Sequence, residues 1–227
     1  MRGVLIFLLA ALTMGGEALA ATGDGDDSAA GVTIQIHDYV HLPPAALMAA
    51  SDVVTHIYNS IGVQTDWLAP MRQEPFRSGG SARGGSASRG SSARRNPPYV
   101  PIAQITVIVL TPEMAIRGHI PEGILGFAAV ATDGGIGRIA YVIYDRVRQQ
   151  AATGAIDETS LFGFVMAHEI GHLLLGPGSH ADAGLMKGDW DREDLRRFWM
   201  VTPQFSPREA ADVRSALARE SDARASR

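Results

Sequence analysis

The chain has 227 residues, of which 46% are hydrophobic and 19% are charged, a composition typical of a globular protein with one domain. The formal net charge is −4, but residues 72–98 carry six arginines against one glutamate, which leaves −9 for the remainder. An acidic remainder without a basic stripe argues against a nucleic acid partner. The absence of cysteine excludes disulfides, a thiol nucleophile and a lipid-modified cysteine.

The first twenty residues are predicted to be a signal peptide. Arg2 supplies a positive charge, residues 4–14 form an apolar run, and Ala18-Leu19-Ala20 fits the small-residue cleavage pattern. The apolar run is too short to span a bilayer, since Gly15 and the residues after it interrupt it. We therefore expect export to the periplasm or the extracellular space, with no stable membrane anchor after cleavage.

The next part of the chain is predicted to alternate between strands and one helix. Residues 21–30 are expected to be a flexible N-terminus. Alternating apolar residues predict a strand over 32–40, and apolar steps of three and four predict a helix that starts after Pro43 and ends at Gly62. A strand over 63–67 follows. Residues 72–98 are rich in Ser, Gly and Arg, which predicts a disordered insert.

Three more strands are predicted before the most informative segment. The run 102–110 is apolar enough to be covered on both faces, and 124–131 and 137–144 are joined by a turn at Asp133-Gly134-Gly135. Residues 157–176 are predicted to form a helix because apolar residues recur there at helical spacing, with Asp157 or Thr159 suited to cap its start and Gly176 to end it.

This helix carries the order H-E-x-x-H at residues 168–172, which is typical of zinc-dependent hydrolases. His168 and His172 are four residues apart, so they share one helix face and are able to bind one ion. Zinc lowers the pKa of a bound water to about 7, and Glu169 is placed to take that proton and pass it to a leaving amine.

The alternative is a chance match with two histidines that are satisfied in the core. Three polar side chains on an apolar helix would destabilise the fold unless they had partners, which favours the zinc interpretation. Gly163 and Gly171 each weaken a helix by roughly 1 kcal/mol relative to alanine, so we expect close packing against both.

A catalytic zinc site needs a third protein ligand and an open position. After Gly176 the chain reaches His180 and then Gly184-Leu185-Met186. This segment resembles the metzincin zinc proteases, in which the zinc helix ends at a glycine, a third histidine follows, and a methionine turn lies under the metal. The resemblance implies the zinc ligands His168, His172 and His180, the general base and acid Glu169, and the floor of the site Met186.

The spacing departs from the metzincin form H-E-x-x-H-x-x-G-x-x-H. Three residues rather than two separate His172 from Gly176, and three again separate Gly176 from His180. The glycines at 176 and 178 make a longer loop sterically feasible. Asp182 and Glu193 are the alternative third ligands.

The resemblance also implies an α+β fold, a zincin-like single domain over residues 31–227 in which a mixed twisted sheet accompanies the active-site helix and a C-terminal helix. In metzincins an edge strand pairs with extended substrate, and residues 137–144 occupy its place in the order. Ser206, Pro207 and Glu209 predict the start of the C-terminal helix. Four aromatic residues are predicted to pack in the core, with a substrate pocket as the alternative role: Trp190, Phe198, Trp199 and Phe205.

Together these patterns predict an exported Zn²⁺-dependent endopeptidase that acts on peptide or protein substrates. The alternatives are a hydrolase of non-peptide amides such as cell-wall material, and an inactive zinc-stabilised binding module. No tyrosine follows Tyr144, so the sequence identifies no side chain for oxyanion stabilisation.

Overall fold

The computed structural model of the chain describes residues 31–68 and 101–226. The predicted signal peptide (1–20), flexible N-terminus (21–30) and insert (72–98) lie outside these residues. The strands are β1 (Gly31–Asp38), β2 (Gln64–Leu68), β3 (Pro101–Leu110), β4 (Gly126–Ala129) and β5 (Ile139–Ile143). The helices are α1 (Pro44–Asn59), α2 (Pro112–Arg117), α3 (Tyr144–Gly154), α4 (Glu158–Leu175), α5 (Arg192–Met200) and α6 (Pro207–Ala225). The described part is therefore α+β, as predicted.

The five strands form one mixed sheet in the order β2-β1-β3-β5-β4. β1 pairs in parallel with β2 and β3, and β3 pairs in parallel with β5. β4 is antiparallel to β5 and lies at the edge. The prediction that residues 137–144 form the edge strand is therefore wrong, because β5 has a neighbour on each side. The edge is Gly126–Ala129.

One face of the sheet carries the main core. Alternating residues of β1 and β3 are buried on this face and pack in one cluster with residues of α1, α4 and α6. The prediction that β3 is covered on both faces holds only for its second half: Gln104 is exposed, whereas Ile108 packs in a smaller cluster with Ala115 of α2. The helix that covers the second half of β3, α2, was not predicted.

α4 lies at the centre of the main core and packs against α1, α3, α6, β4 and β5. Gly163 makes the close approach to α1 that the sequence predicted, since a Cβ there would lie 2.7 Å from Cβ of Val53. The predicted capping box of α6 is also present, because Ser206 accepts from the backbone N–H of Glu209 and the Glu209 carboxylate accepts from that of Ser206.

Two helices beside the site were not predicted, α3 and α5. α3 begins directly after β5, where the sequence extends the strand to Tyr144. On α5, Phe198 is buried but Trp199 is exposed, so the prediction of core packing is wrong for Trp199, which lies on the outer face. Trp190 and Phe205 are buried as predicted. Within residues 31–68 and 101–226, no helix combines the length and apolarity needed to cross a membrane.

Candidate metal centre

α4 places the two histidines of the motif. Asp157 caps its first turn by accepting from the backbone N–H of Ser160, and Gly176 ends it with a φ of 83°. The four-residue spacing puts His168 and His172 on the same face, with their Nε2 atoms 3.0 Å apart. His168 is buried, and His172 is half-buried.

His180 completes a group of three imidazoles. Its Nε2 lies 3.0 Å from Nε2 of His172, and the three ligand atoms all lie within 4.8 Å of one another. Tetrahedral coordination by nitrogens at ~2.0–2.1 Å places them about 3.3 Å apart, which is close to this spacing. The three predicted histidines are therefore close enough to bind one metal ion.

The outer nitrogens of two rings are already engaged. His168 Nδ1 lies 2.7 Å from the backbone oxygen of Leu185, and His172 Nδ1 lies 2.7 Å from Oγ of Ser179. A carbonyl oxygen only accepts, so Nδ1 of His168 carries the proton and its Nε2 presents a lone pair to the centre. Such contacts orient metal-binding histidines and increase their basicity.

The longer loop reaches the third histidine through two turns. Gly176 and Gly178 both have positive φ, 83° and 73°, a conformation that side chains disfavour. The far end of the loop is fixed where the N–H of Ala181 donates to the oxygen of Met186 at 2.8 Å. The His180 ring packs against Gly188, where a Cβ would lie 2.9 Å from Nδ1. The loop after α4 therefore brings the His180 ring beside that of His172.

The alternative third ligands lie outside the group. Asp182 is exposed and is not among the residues that converge, and Glu193 is directed to Arg197 on the surface of α5 at 3.6 Å. Among the described residues, His168, His172 and His180 are the set of histidine or acidic side chains close enough to share one ion.

Met186 lies beneath the helix that carries His168 and His172. Its side chain is fully buried, and a Cβ on Gly171, the residue before His172, would lie 2.6 Å from its Sδ. This is the close approach that the glycine at 171 predicted. The turn that contains Met186 also supplies the Leu185 oxygen that orients His168, so one short segment supports both histidines of α4.

Glu169 faces the edge strand. Its side chain is buried, and burial raises the pKa of its carboxyl group to about 8 in the metal-free protein. A Cβ on Gly126 of β4 would lie 2.8 Å from both Cγ and Oε1 of Glu169. The carboxyl group therefore lies directly under β4 and next to the first ligand.

Burial lowers, rather than raises, the pKa of the two histidines on α4. It lowers the pKa of His168 to about 4 and that of His172 to about 4, with neighbouring imidazoles adding to the shift. Both rings are neutral at physiological pH for this reason. A metal ion binds the neutral form of imidazole, so the fold prepares these groups for metal binding.

The group opens into a cavity of about 670 Å³. His168, Glu169, His172 and His180 line it together with residues of β4, including Gly126 and Ala128. Beyond Glu169 the wall is formed by Val165, Leu195, Trp190 and Gln150. The alternative role for Trp190, lining a pocket, is thus also present, with its ring 5.3 Å from that of His168.

The wall behind the ligands is fixed by an ion pair. Lys187, which lines the cavity, contacts the buried carboxylate of Asp194 and also that of Asp191 at 3.2 Å. Asp191 and Asp194 form the capping box that starts α5. Lys187 is therefore held to the start of α5 rather than pointing freely toward the ligands.

Several residues that support the site were not predicted from the sequence. Ser179 is seven positions from His172, and no local pattern indicates that the two touch. Tyr58 of α1 donates to the Ala167 oxygen at 3.0 Å, which ties α1 to the turn before His168. Gly126 gave no signal except its lack of a side chain within an apolar run. Each of these contacts depends on tertiary packing.

Comparison of the chain with models of known protein families found no match, and comparison with curated proteins found none either.

Proposed function

We propose that this chain is a zinc-dependent hydrolase that cleaves peptide bonds. The observation that carries the proposal is the convergence of the Nε2 atoms of His168, His172 and His180 at the wall of a cavity that Glu169 also lines. These histidines would hold Zn²⁺, which when bound supplies a Lewis acid and a water of lowered pKa. Three protein ligands and an open side are typical of catalytic rather than structural zinc sites.

Glu169 is the proton carrier in this proposal. It lies next to a ligand and its carboxyl group borders the cavity, where it takes a proton from the attacking water and donates it to the leaving amine. The buried position raises its affinity for a proton, which suits a group that must accept one and release it in the same cycle. A cation in the site would counter that effect by favouring the ionised form.

The edge strand supports a peptide as substrate. β4 pairs with β5 on one side, and its residues 126–128 line the cavity beside Glu169. An extended peptide adds to such an edge by main-chain hydrogen bonds. That arrangement would hold a scissile bond near the ligands and above the carboxyl group of Glu169. A metzincin-like arrangement of these elements is part of the proposal.

The test compares Glu169→Gln with wild type for zinc content and for cleavage of a denatured protein substrate. We expect unchanged zinc content and a loss of cleavage of at least about 100-fold, since general acid-base groups contribute roughly 10²–10⁴-fold. Glu193→Gln, an exposed carboxyl group outside the site, is the matched control and should retain activity. Equal cleavage by Glu169→Gln and wild type would contradict the proposal.

A further inference from the structure

Arg146 of α3 binds the backbone of the segment that leads into the edge strand. Its Nη1 donates to the backbone oxygens of Pro121 at 2.7 Å and Ile124 at 2.8 Å, and its Nη2 donates to that of Ile120 at 3.1 Å. One guanidinium group reaches all three carbonyls because its donors are arranged in a planar fork. Since α3 follows β5 directly, these bonds tie the chain before β4 to the end of its neighbouring strand.

The charge of Arg146 is satisfied by these carbonyls and not by a carboxylate. Arg146 is half-buried and forms no ion pair in the part of the chain that the structure describes, whereas Arg148 on the same helix contacts Asp145. A half-buried cation without a carboxylate partner needs other acceptors. The backbone of residues 120–124 supplies them, so this cation and this segment stabilise each other.

The backbone of this segment has few other attachments. Residues 118–125 form turns between α2 and β4. Among the residues that the structure describes, the hydrogen bonds to residues 121–124 are those from Arg146. The next attachment is at Leu125, whose oxygen accepts from the N–H of Ile143 at 2.8 Å. The path of the backbone just before β4 is therefore set largely by one side chain.

Apolar contacts hold the segment as well, but less specifically. The side chains of Ile120 and Ile124 pack in the smaller cluster with Ala115 of α2 and Ile143 of β5. Apolar packing is not directional, so it keeps the segment against the protein without fixing where each carbonyl lies. A chain without Arg146 should therefore fold, with this segment less well ordered.

The path of this segment matters because it forms part of the cavity wall. Residues 123–125 line the cavity together with Gly126 and Ala128 of the edge strand. A peptide that pairs with β4 would meet this wall next to the three histidines. We propose that Arg146 is a positioning residue for substrate binding, which holds residues 123–125 where they contact a bound peptide. The inference rests on the proposed peptidase function.

A less ordered segment should weaken substrate binding without changing the chemistry. If residues 123–125 adopt the binding arrangement only part of the time, the apparent Kd rises by the inverse of that fraction. Arg146 itself does not line the cavity, so a bound peptide would meet unchanged histidines and an unchanged Glu169. The expected signature is therefore a higher KM with little change in kcat.

The test compares wild type with Arg146→Met, which keeps the length of the side chain and removes its donors, in two measurements. In cleavage of an unstructured polypeptide, we expect KM to rise about tenfold and kcat to stay within about twofold, at unchanged zinc content. In amide hydrogen exchange of the metal-free protein, the Ile143 amide, bonded to Leu125, should exchange about tenfold faster. The Gly137 amide, bonded to Leu173 at 2.9 Å, should be unchanged.

Two further variants separate this role from a general effect of charge. Arg148→Met removes an exposed arginine of the same helix, whose contact is with Asp145, and should match wild type in both measurements. Arg146→Lys keeps the charge but lacks the planar fork. Its KM and its Ile143 exchange rate should lie between those of wild type and Arg146→Met.

Equal Ile143 exchange in wild type and Arg146→Met would overturn the proposal, because the segment would not depend on Arg146. Faster exchange with an unchanged KM would also overturn it, because the segment would not contact substrate. Loss of zinc content in Arg146→Met would assign Arg146 to the fold as a whole. If wild type cleaves nothing, the proposed peptidase function fails and the role in substrate binding fails with it, while Ile143 exchange still reports whether Arg146 orders the segment.

Discussion

Gly126 of the edge strand lies against Glu169 so closely that a Cβ at residue 126 would be 2.8 Å from Oε1 of the carboxyl group. The backbone oxygen of Tyr141 would be 2.8 Å from the same Cβ, which prevents the strand from moving aside easily. β4 thus has a glycine where it crosses the proposed general base. A glycine within a strand often marks such a close approach.

We therefore expect Gly126→Ala to displace the carboxyl group of Glu169 while leaving the three histidines in place. Cleavage should fall by about 100-fold, the effect of misplacing a catalytic group by ~1 Å, and zinc content should not change. Steady-state kinetics and metal analysis on the same preparation measure both. Gly135→Ala is the matched control, because its Cβ would meet only the exposed Asp133 side chain. Full activity in Gly126→Ala would show that residue 126 does not lie tightly against the carboxyl group of Glu169.

The third ligand gives a second prediction. His180→Ala should lose most zinc affinity, since it removes one of three donors, whereas Asp182→Ala should bind zinc as wild type. His56→Ala, an exposed histidine on α1, controls for nonspecific loss of imidazole. Competition with a chelator measures the affinities. Zinc affinity that falls in Asp182→Ala and not in His180→Ala would reverse the assignment.

Ser179 is expected to act through His172. Its Oγ lies 2.7 Å from Nδ1 of that ring, and removing a partner of this kind lowers metal affinity by roughly 10–100-fold. Ser179→Ala should show that loss, and Ser179→Thr, which keeps the hydroxyl, should restore part of the affinity. Competition with a chelator measures the zinc affinities of these variants as well. A Ser179→Ala protein with wild-type zinc affinity would indicate that the loop orients His172 by packing alone.

The sequence predicted the parts of the site that are encoded locally. Helix α4 followed from apolar spacing and from end signals, since these depend on neighbours within a few residues. The close approaches at Gly163 and Gly171 followed from the unfavourable placement of glycine inside a helix. His180 was more difficult. Gly176 and Gly178 indicate a turn but not where it leads, and the bond between Ala181 and Met186 has no sequence signature.

The sequence could not identify the edge of the sheet. Residues 137–144 and 124–131 are both apolar and both precede α4, and pairing with β3 decides which of them is internal. That pairing joins strands about thirty residues apart, so no local pattern reports it. α5 was missed for a related reason: only three of its residues, Asp194, Leu195 and Phe198, are buried, which is too short a pattern to indicate a helix.

The contact between Gly171 and Met186 allows a test by paired substitution. Gly171→Ala should raise the free energy of unfolding by about 1 kcal/mol through helix propensity. Overlap of the new Cβ with Sδ of Met186 should lower it by more, ~1–3 kcal/mol. Met186→Ala should cost roughly 2–5 kcal/mol because the side chain is fully buried. The double variant should be more stable than the sum of the two losses implies, since the overlap is gone. Urea unfolding of all four proteins closes the cycle, and strictly additive losses would show that the two residues do not interact.

The buried ionisable groups predict how the metal-free protein responds to pH. Glu169 titrates near pH 8 when folded and near 4.5 when unfolded, so between these values the unfolded chain releases a proton that the folded chain keeps, and stability falls as pH rises. His168 and His172 titrate near 4 when folded and near 6.5 when unfolded, so stability also falls as pH drops from 6.5 toward 4. Below pH 6.5 the two histidines outweigh the one glutamate, so the free energy of unfolding rises with pH. Above pH 6.5 only Glu169 contributes, and the free energy of unfolding falls. It should therefore be highest near pH 6.5.

Glu169→Gln removes the Glu169 contribution to this dependence and leaves that of the histidines. In the presence of a chelator, its free energy of unfolding relative to wild type should rise from pH 4.5 to about pH 8 and stay constant above, because glutamine has no proton to lose. With zinc bound, a cation beside Glu169 favours the ionised form in the folded protein, so the difference should become smaller. Urea titrations at pH 5, 7 and 9, with and without zinc, measure this. A constant difference across pH in the metal-free proteins would show that Glu169 is already ionised in the fold, and its carboxyl group would then need a cationic or hydrogen-bonding partner that burial alone does not supply.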